Sequence, residues 1–430
     1  LKHEQLAKLF NVTASTIVSW LGGTVDFYYK NKVKLIEHVF ANNCNIPNLI
    51  KVGKEYYGSV RIGDERIPIT HYLTKNNFSN KLIIKKGRDF YIHTPLLFPR
   101  DWKGKEIRFV PYKNKIIVFY GESSFRLVHP LILPQHIKLD MVFMVGLGIY
   151  LAEGTRTRKP KITNSEPLII NQGISFFRKC GIQKKRLKAW IQLHERSSKT
   201  EKNVKAFWLR NTYLKNENIG KVWIKKSQGN GKIKEYGVLH LETTTILSQL
   251  FVQGLLTVIP PILHQVHFHQ KLWFLQGAFA GEGSPNLAPS KSLSQIKYTS
   301  TIQRERVLIS NLLAEFGIKA KNKPRYDDVY ITGYSNLKKC VVLNLFKYHP
   351  ERRKKMESGF SSLDDRKSSY LNKSEVLVAI KKKKMTIQEL SNNFNVPYFT
   401  MRNCLRALYN KRKINKTRRR GRLPALFHSV

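Results

Sequence analysis

Two glutamates, Glu153 and Glu282, close two versions of one short stretch. The first reads Gly146-Leu147-Gly148-Ile149-Tyr150-Leu151-Ala152-Glu153-Gly154, the second Leu275-Gln276-Gly277-Ala278-Phe279-Ala280-Gly281-Glu282-Gly283. A carboxylate at the C-terminal end of a helix meets a partial negative charge and is disfavoured there. Two such carboxylates call for a cation. Lysine would serve, and a divalent ion serves better: hard oxygen ligands suit Mg²⁺, and the last carbonyls of the two helices, at Ala152 and Gly281, have no intrahelical partner. An ion held beside a phosphodiester activates water and stabilises the leaving oxygen.

The elements that must position these acids are apolar helices with glycine inside them. Glycine in a helix interior costs ~1 kcal/mol relative to alanine. Gly148 and Gly277 break that rule at matching places, so a compensating gain is expected. Removing Cβ lets two backbones approach. Gly148 and Gly277 are therefore read as the interface of two parallel motif helices whose glutamate ends come together.

The rest of the chain repeats in the same register. Asn164 lies seventeen residues before Gly181-Ile182, and Ser300 lies seventeen before Gly317-Ile318. Lys161-Ile162-Thr163 matches Lys297-Tyr298-Thr299, and an amphipathic helix precedes each Gly-Ile. The distances from glutamate to Gly-Ile are 28 and 35 residues, which puts about seven extra residues in the first hairpin of the second copy. This is an internal duplication.

Charge names the class of partner. The 430 residues carry 76 Lys+Arg against 29 Asp+Glu, a formal +47, and a surface that basic repels itself unless it meets a polyanion. Aromatic residues at 11% mark a folded chain. No apolar run approaches a membrane span. The four cysteines form no Cys-x-x-Cys pair, which argues for reduced thiols in a cytoplasmic (nucleoid-associated) or organellar matrix setting, not a secreted one. His264, His267 and His269 invite a zinc reading, but Pro260-Pro261 makes an extended connection and no cysteine lies near.

Six segments follow. Residues 1–54 carry the spacing of a helix-turn-helix, with Ala7, Asn11-Val12 and Ile17 at the key places. Residues 55–128 alternate in short runs and read as a small β-rich module. Repeat 1 covers 129–258 and repeat 2 covers 259–350. A charged stretch, 351–370, reads as a linker. Residues 371–430 begin a helix with Thr386 as N-cap and Glu389 three residues on, a capping box, and end in a basic hairpin; they resemble a winged helix.

The doubled motif resembles the LAGLIDADG homing endonucleases in their single-chain, two-motif form, over roughly residues 138–350. The resemblance implies an α+β fold with two pseudo-symmetric αββαββα halves, whose sheets form a DNA-binding saddle. It implies site-specific double-strand DNA cleavage, with two or three Mg²⁺ ions held by Glu153 and Glu282 and by the Ala152 and Gly281 carbonyls. Leu151 and Ala280 stand where the name motif has aspartate. Lys225 and Lys226 are candidates for the basic residue that polarises the attacking water; Lys338 and Lys339 are weaker counterparts in repeat 2. Twenty-one Lys+Arg between 154 and 235 suit a DNA-facing surface. Arg156, Arg158, Lys161, Lys221, Arg304, Arg402, Arg406, Arg419, Arg420 and Arg422 are the candidate DNA contacts. Double-stranded DNA is the expected partner of a monomer with internal pseudo-two-fold symmetry. Two alternatives stay open: a non-catalytic DNA-binding transcriptional regulator on this scaffold, and an intron RNA maturase.

Overall fold

Short alternating runs build the region before the first motif. In the computed structural model the described residues are 59–62, 65–68, 72–120, 130–156, 159–226, 233–322, 326–368, 373–394, 396, 398–417 and 425–429, with Glu4, Ala7, Lys8 and Thr13 to Ser15 as isolated positions. The expected helix-turn-helix of 1–54 thus lies outside the described residues, apart from those six positions. Two units are distinguished, Leu1–Gly281 and Glu282–Val430.

In the first unit, β1 (Ser59–Ile62) and β2 (Glu65–Pro68) form a hairpin. Strands β3 (Ile83–Lys86) and β4 (Asp89–His93) turn at Gly87, which has φ 60°. Then come β5 (Asp101–Trp102), β6 (Lys105–Tyr112), β7 (Lys115–Tyr120), β8 (Leu131–Pro134) and β9 (His136–Lys138). They assemble as one sheet of order β3-β4-β9 and another of order β5-β6-β7-β8. The β-rich module therefore draws its last two strands from beyond residue 128. Val110, Ile117 and Phe119 form a small core with Ile67 and Ile132 against them.

The first motif is helix α1 (Met141–Glu153), capped by Asp140, whose side chain accepts from the Phe143 amide. It is followed by β10 (Lys161–Asn164), α2 (Pro167–Lys179), β11 (Leu187–His194), α3 (Glu201–Asn211), β12 (Ile219–Lys225), β13 (Val238–Thr243) and α4 (Ile246–Thr257). The four strands lie in the order β10-β13-β11-β12. Strand β11 shows why: Leu187, Ala189, Ile191 and Leu193 are buried and alternate with Lys188, Trp190, Gln192 and His194, so one face meets the helices and the other is open.

This sheet departs from the αββαββα half that the resemblance implies. Between Glu153 and β10 no second strand forms among the described residues; a single antiparallel bridge joins Gly154 to Ile162. At the far edge, β12 is added parallel to β11, and a parallel neighbour needs a crossover, here α3. Val204 and Trp208, four apart, are the buried anchors of that helix. One edge strand is lost, and another is gained at the opposite edge.

After α5 (Ile259–Gln265) the second motif forms α6 (Phe268–Glu282), whose last residue opens the second unit. The second sheet is fully antiparallel: β14 (Gly283–Leu287), β15 (Leu293–Thr299), then helix α7 (Gln303–Glu315), β16 (Ala320–Asn322) and β17 (Asp328–Ile331), in the order β14-β15-β17-β16. The seven extra residues found by spacing are the complete first hairpin that repeat 1 lacks. Helix α8 (Tyr334–Val342) follows.

Residues expected as a linker form α9 (Pro350–Ser368). Its charged composition hides a narrow apolar stripe: Met356 and Phe360, four apart, are buried, and the helix packs on β14 and β15. The chain ends with α10 (Lys373–Lys382), α11 (Ile387–Asn393), α12 (Tyr398–Asn410) and a hairpin of β18 (Ile414–Thr417) with β19 (Leu426–Ser429). Val376, Ile380, Leu390, Met401, Leu405, Ile414 and Phe427 give this segment its own core. The Thr386–Glu389 capping box forms, with the Glu389 amide donating to Thr386 Oγ1 and the Thr386 amide donating to Glu389 Oε2.

Candidate functional site

Three glycines set the geometry of the motif helices. A Cβ on Gly148 would overlap the Phe274 carbonyl oxygen and stand 2.8 Å from the Ala278 nitrogen. A Cβ on Gly277 would overlap the Val145 carbonyl oxygen and stand 3.1 Å from the Ile149 nitrogen. One on Gly281 would lie 2.5 Å from Ala152 Cβ and 3.0 Å from Glu153 Cγ. The contacts advance together along both helices, so α1 and α6 run parallel with their backbones in contact. Glu153 comes level with Gly281, the residue before Glu282.

The surroundings of Glu153 come from the short connection to β10. Its Oε1 accepts from Asn164 Nδ2 at 2.7 Å, while Asn164 Oδ1 accepts from the Glu166 amide at 2.8 Å, which fixes the orientation of the amide. Arg156 Nη2 donates to the Leu151 carbonyl at 3.0 Å and sets a cation on the negative end of α1. Tyr150 is buried beneath, its hydroxyl donating to the Thr155 carbonyl at 2.6 Å; burial holds its pKa above the usual phenol range.

Glu282 is differently placed. Burial raises its carboxyl pKa, and the charge of Arg352 opposes the rise. Ser300, the register partner of Asn164, donates to Glu305 Oε2 at 2.8 Å. The two acids end equivalent helices, and they have unlike neighbours.

The donors suit a hard cation. Each motif helix ends in a carboxylate beside a carbonyl, all oxygen, and Mg²⁺ is commonly held by one or two carboxylates completed by water and substrate phosphate. Among the described residues no group of three or more His, Cys, Asp or Glu could hold a metal. The three histidines that invited zinc include two packed edge-on to aromatic rings, His267 on Phe90 at 4.9 Å and His269 on Trp273 at 4.8 Å.

The basic residues distribute as follows. Lys221 and Lys225 are exposed on β12, and Lys226 follows it, also exposed. That strand is at the edge opposite β10, three strand spacings or about 14 Å from it laterally. The structure thus does not bring Lys225 and Lys226 to Glu153. Lys339 donates to the Gly317 carbonyl at 2.6 Å. Lys161, on β10, lies over the Trp190 ring at 5.7 Å. Arg304 is exposed in the first turn of α7, on the helical layer. Arg402 and Arg406 are exposed on one face of α12. Arg158, Arg419, Arg420 and Arg422 lie outside the described residues.

Sequence reasoning missed the open faces of both sheets. On the first, His240 pairs with Thr163 and with Trp190; its ring stacks on the indole at 3.6 Å and its Nδ1 is 2.9 Å from Thr163 Oγ1. On the second, Asp328 Oδ2 accepts from Lys297 Nζ at 2.7 Å and from the Tyr330 hydroxyl at 2.8 Å, and its Oδ1 accepts from Thr299 at 2.6 Å. These three hydrogen bonds hold the Asp328 carboxyl below its usual range even though burial acts the other way. Alternation along a strand tells which residues share a face. It could not show which strand stands beside which.

Parallel, glycine-packed helices, each ending in glutamate and each followed by a mixed α/β layer, define a two-motif α+β protein. Residues 269–342 match the family model described as a LAGLIDADG-like domain. No curated protein matches it in sequence. Among solved structures, it is similar to I-DmoI in complex with DNA and Ca at 11% identity and a TM-score of 0.29, covering 50% of this chain and 96% of that one. It is also similar to full-length DUF199/WhiA from Thermatoga maritima at 12% identity and a TM-score of 0.29, covering 64% of this chain and 91% of that one. Overlays at this level carry no argument about function.

Proposed function

We propose that this chain is a metal-dependent, site-specific double-strand DNA endonuclease. The observation that supports it is the parallel contact of α1 and α6 through Gly148, Gly277 and Gly281, which draws the end of one motif level with the end of the other. Two acids kept at helix C-termini in a chain of net charge +47 are costly without a cation and useful with one. Glu153 and Glu282, with the Ala152 and Gly281 carbonyls, would hold Mg²⁺, which supplies an activated water and charge for the leaving oxygen. Asn164 orients the Glu153 carboxylate, and Arg156 steadies the helix end beneath it. Lys221, Lys225 and Lys226, remote from Glu153 across the sheet, are assigned to phosphates. The C-terminal helices and hairpin are read as a winged helix that presents Arg402 and Arg406 to DNA.

One observation favours a second reading, binding without cleavage: Arg352 gives Glu282 a fixed positive charge where an ion would otherwise be needed. The test is cleavage of a duplex library by the purified chain with Mg²⁺, beside Glu153→Gln and Glu282→Gln. Cutting at a defined site by the native chain, reduced at least ~10²-fold in either variant, is expected. Tight binding with no cleavage at any site, unchanged in Glu153→Gln, would establish the regulator instead. RNA splicing assistance that survives loss of both acids would establish the maturase.

A further inference from the structure

The open face of the first sheet carries an aromatic row, Trp223, Trp190 and His240. Trp190 lies flat on His240, with ring planes 7° apart. Trp223, on the added edge strand, comes within 6.1 Å of Trp190 and is 62% exposed. The register explains the grouping. Trp223 pairs with Gln192, two residues along β11 from Trp190, so both indoles project from the same face. Period two places lysines on that face as well, among them Lys188 two before Trp190, Lys225 two after Trp223, and Lys161 over the Trp190 ring.

Trp223 with Trp190 beside it makes a contiguous aromatic surface, and such surfaces mark binding sites. Its chemistry narrows the ligand. An indole offers one donor and a broad π-face, whereas the major groove of a duplex presents base edges whose faces are already stacked. An unpaired base offers its face, and the phosphates of its strand match these lysines. The second sheet makes the contrast. At the register-matched place, Lys297 also lies over a ring, that of Tyr330 at 5.1 Å, but it is tied to Asp328, which accepts from the Tyr330 hydroxyl as well.

We propose that Trp223 and Trp190 form a stacking site for an unpaired nucleobase of single-stranded DNA or RNA, flanked by Lys161, Lys188 and Lys225. Trp223 stands on β12, at the sheet edge opposite β10, and occupancy of the site does not depend on cleavage. Its test is fluorescence anisotropy of the full chain with labelled 20-nucleotide oligo(dT), 20-nucleotide oligo(U) and a 20-base-pair duplex. Trp223→Ala is expected to weaken binding of the single strands by about tenfold, with Trp223→Phe restoring it and duplex binding changed by less than about twofold. Loss on oligo(dT), on oligo(U) or on both supports the site and identifies which sugar it accepts. Unchanged single-strand binding in Trp223→Ala overturns it. So does an equal loss on the duplex, or a native chain that binds neither single strand. Because no metal is added, failure here leaves the cleavage assay untouched, and failure of cleavage leaves this result standing.

Discussion

Glu153 and Glu282 end their motif helices beside different named partners, Asn164 for the first and Arg352 for the second. Glu282 has its pKa raised, mainly by burial. An acid raised on folding contributes its stability below its unfolded pKa and loses it as pH rises through the folded value. Ionised Glu282 therefore costs stability at neutral pH. Glu282→Gln is expected to raise the melting temperature by about 1–3 °C at pH 7 without metal, with the difference shrinking toward pH 4. A melting temperature that falls at pH 7 would contradict this. Glu153 instead rests on Asn164. Asn164→Ala removes a donor to a charged acceptor and should cost about 1–2 kcal/mol in urea denaturation, with a smaller loss of cleavage than Glu153→Gln. A loss equal to that of Glu153→Gln would mean that Asn164 does more than orient the carboxylate.

At the scale of elements, the motif helices leave no room for a side chain where they touch. Cβ atoms on Gly148 or Gly277 would meet backbone, which cannot rotate away as a side chain would. Gly148→Ala and Gly277→Ala should each destabilise the first unit by about 3 kcal/mol or more. Because both act on one contact, the double variant should lose less than the sum; strict additivity in denaturant titrations would argue against a shared interface. The first sheet responds to acid through His240, and the β-rich module through His93. Burial lowers both to about 4, with the Lys161 charge adding to the effect on His240 and His136 to that on His93. A base lowered on folding keeps its stability above the unfolded value of 6.5 and loses it as pH falls toward 4. Thermal melts should fall across that window, and His93→Asn should flatten part of the decline.

For the whole molecule, charge sets behaviour. A chain of net +47 that binds DNA displaces many counterions, so its affinity should fall steeply and log-linearly with salt. Arg402→Ala and Arg406→Ala should each reduce the slope by about one, evenly across target sequences. A flat salt response, or a slope unaltered in both variants, would remove the assignment of α12 to phosphates.

Much of this was legible in the residues alone. The repeat, the two acids, the glycine pair and the hairpin longer by seven residues are features of spacing, and spacing along a chain survives without coordinates. Pairing between distant strands was not legible. Nothing local says that β13 stands between β10 and β11, that β12 is an added parallel edge, or that Trp190 therefore meets His240 and Trp223. The helix at 350–368 was hidden because two buried residues four apart give a weak signal among so many charges. Asn164 was visible as a register mark, but its hold on Glu153 depends on how tightly the chain turns after Gly154. The sequence by itself determined which residues are costly where they stand, because local rules expose broken rules. Only the tertiary structure decided what compensates each of them, because the compensating partner is brought near by packing and not by distance along the chain.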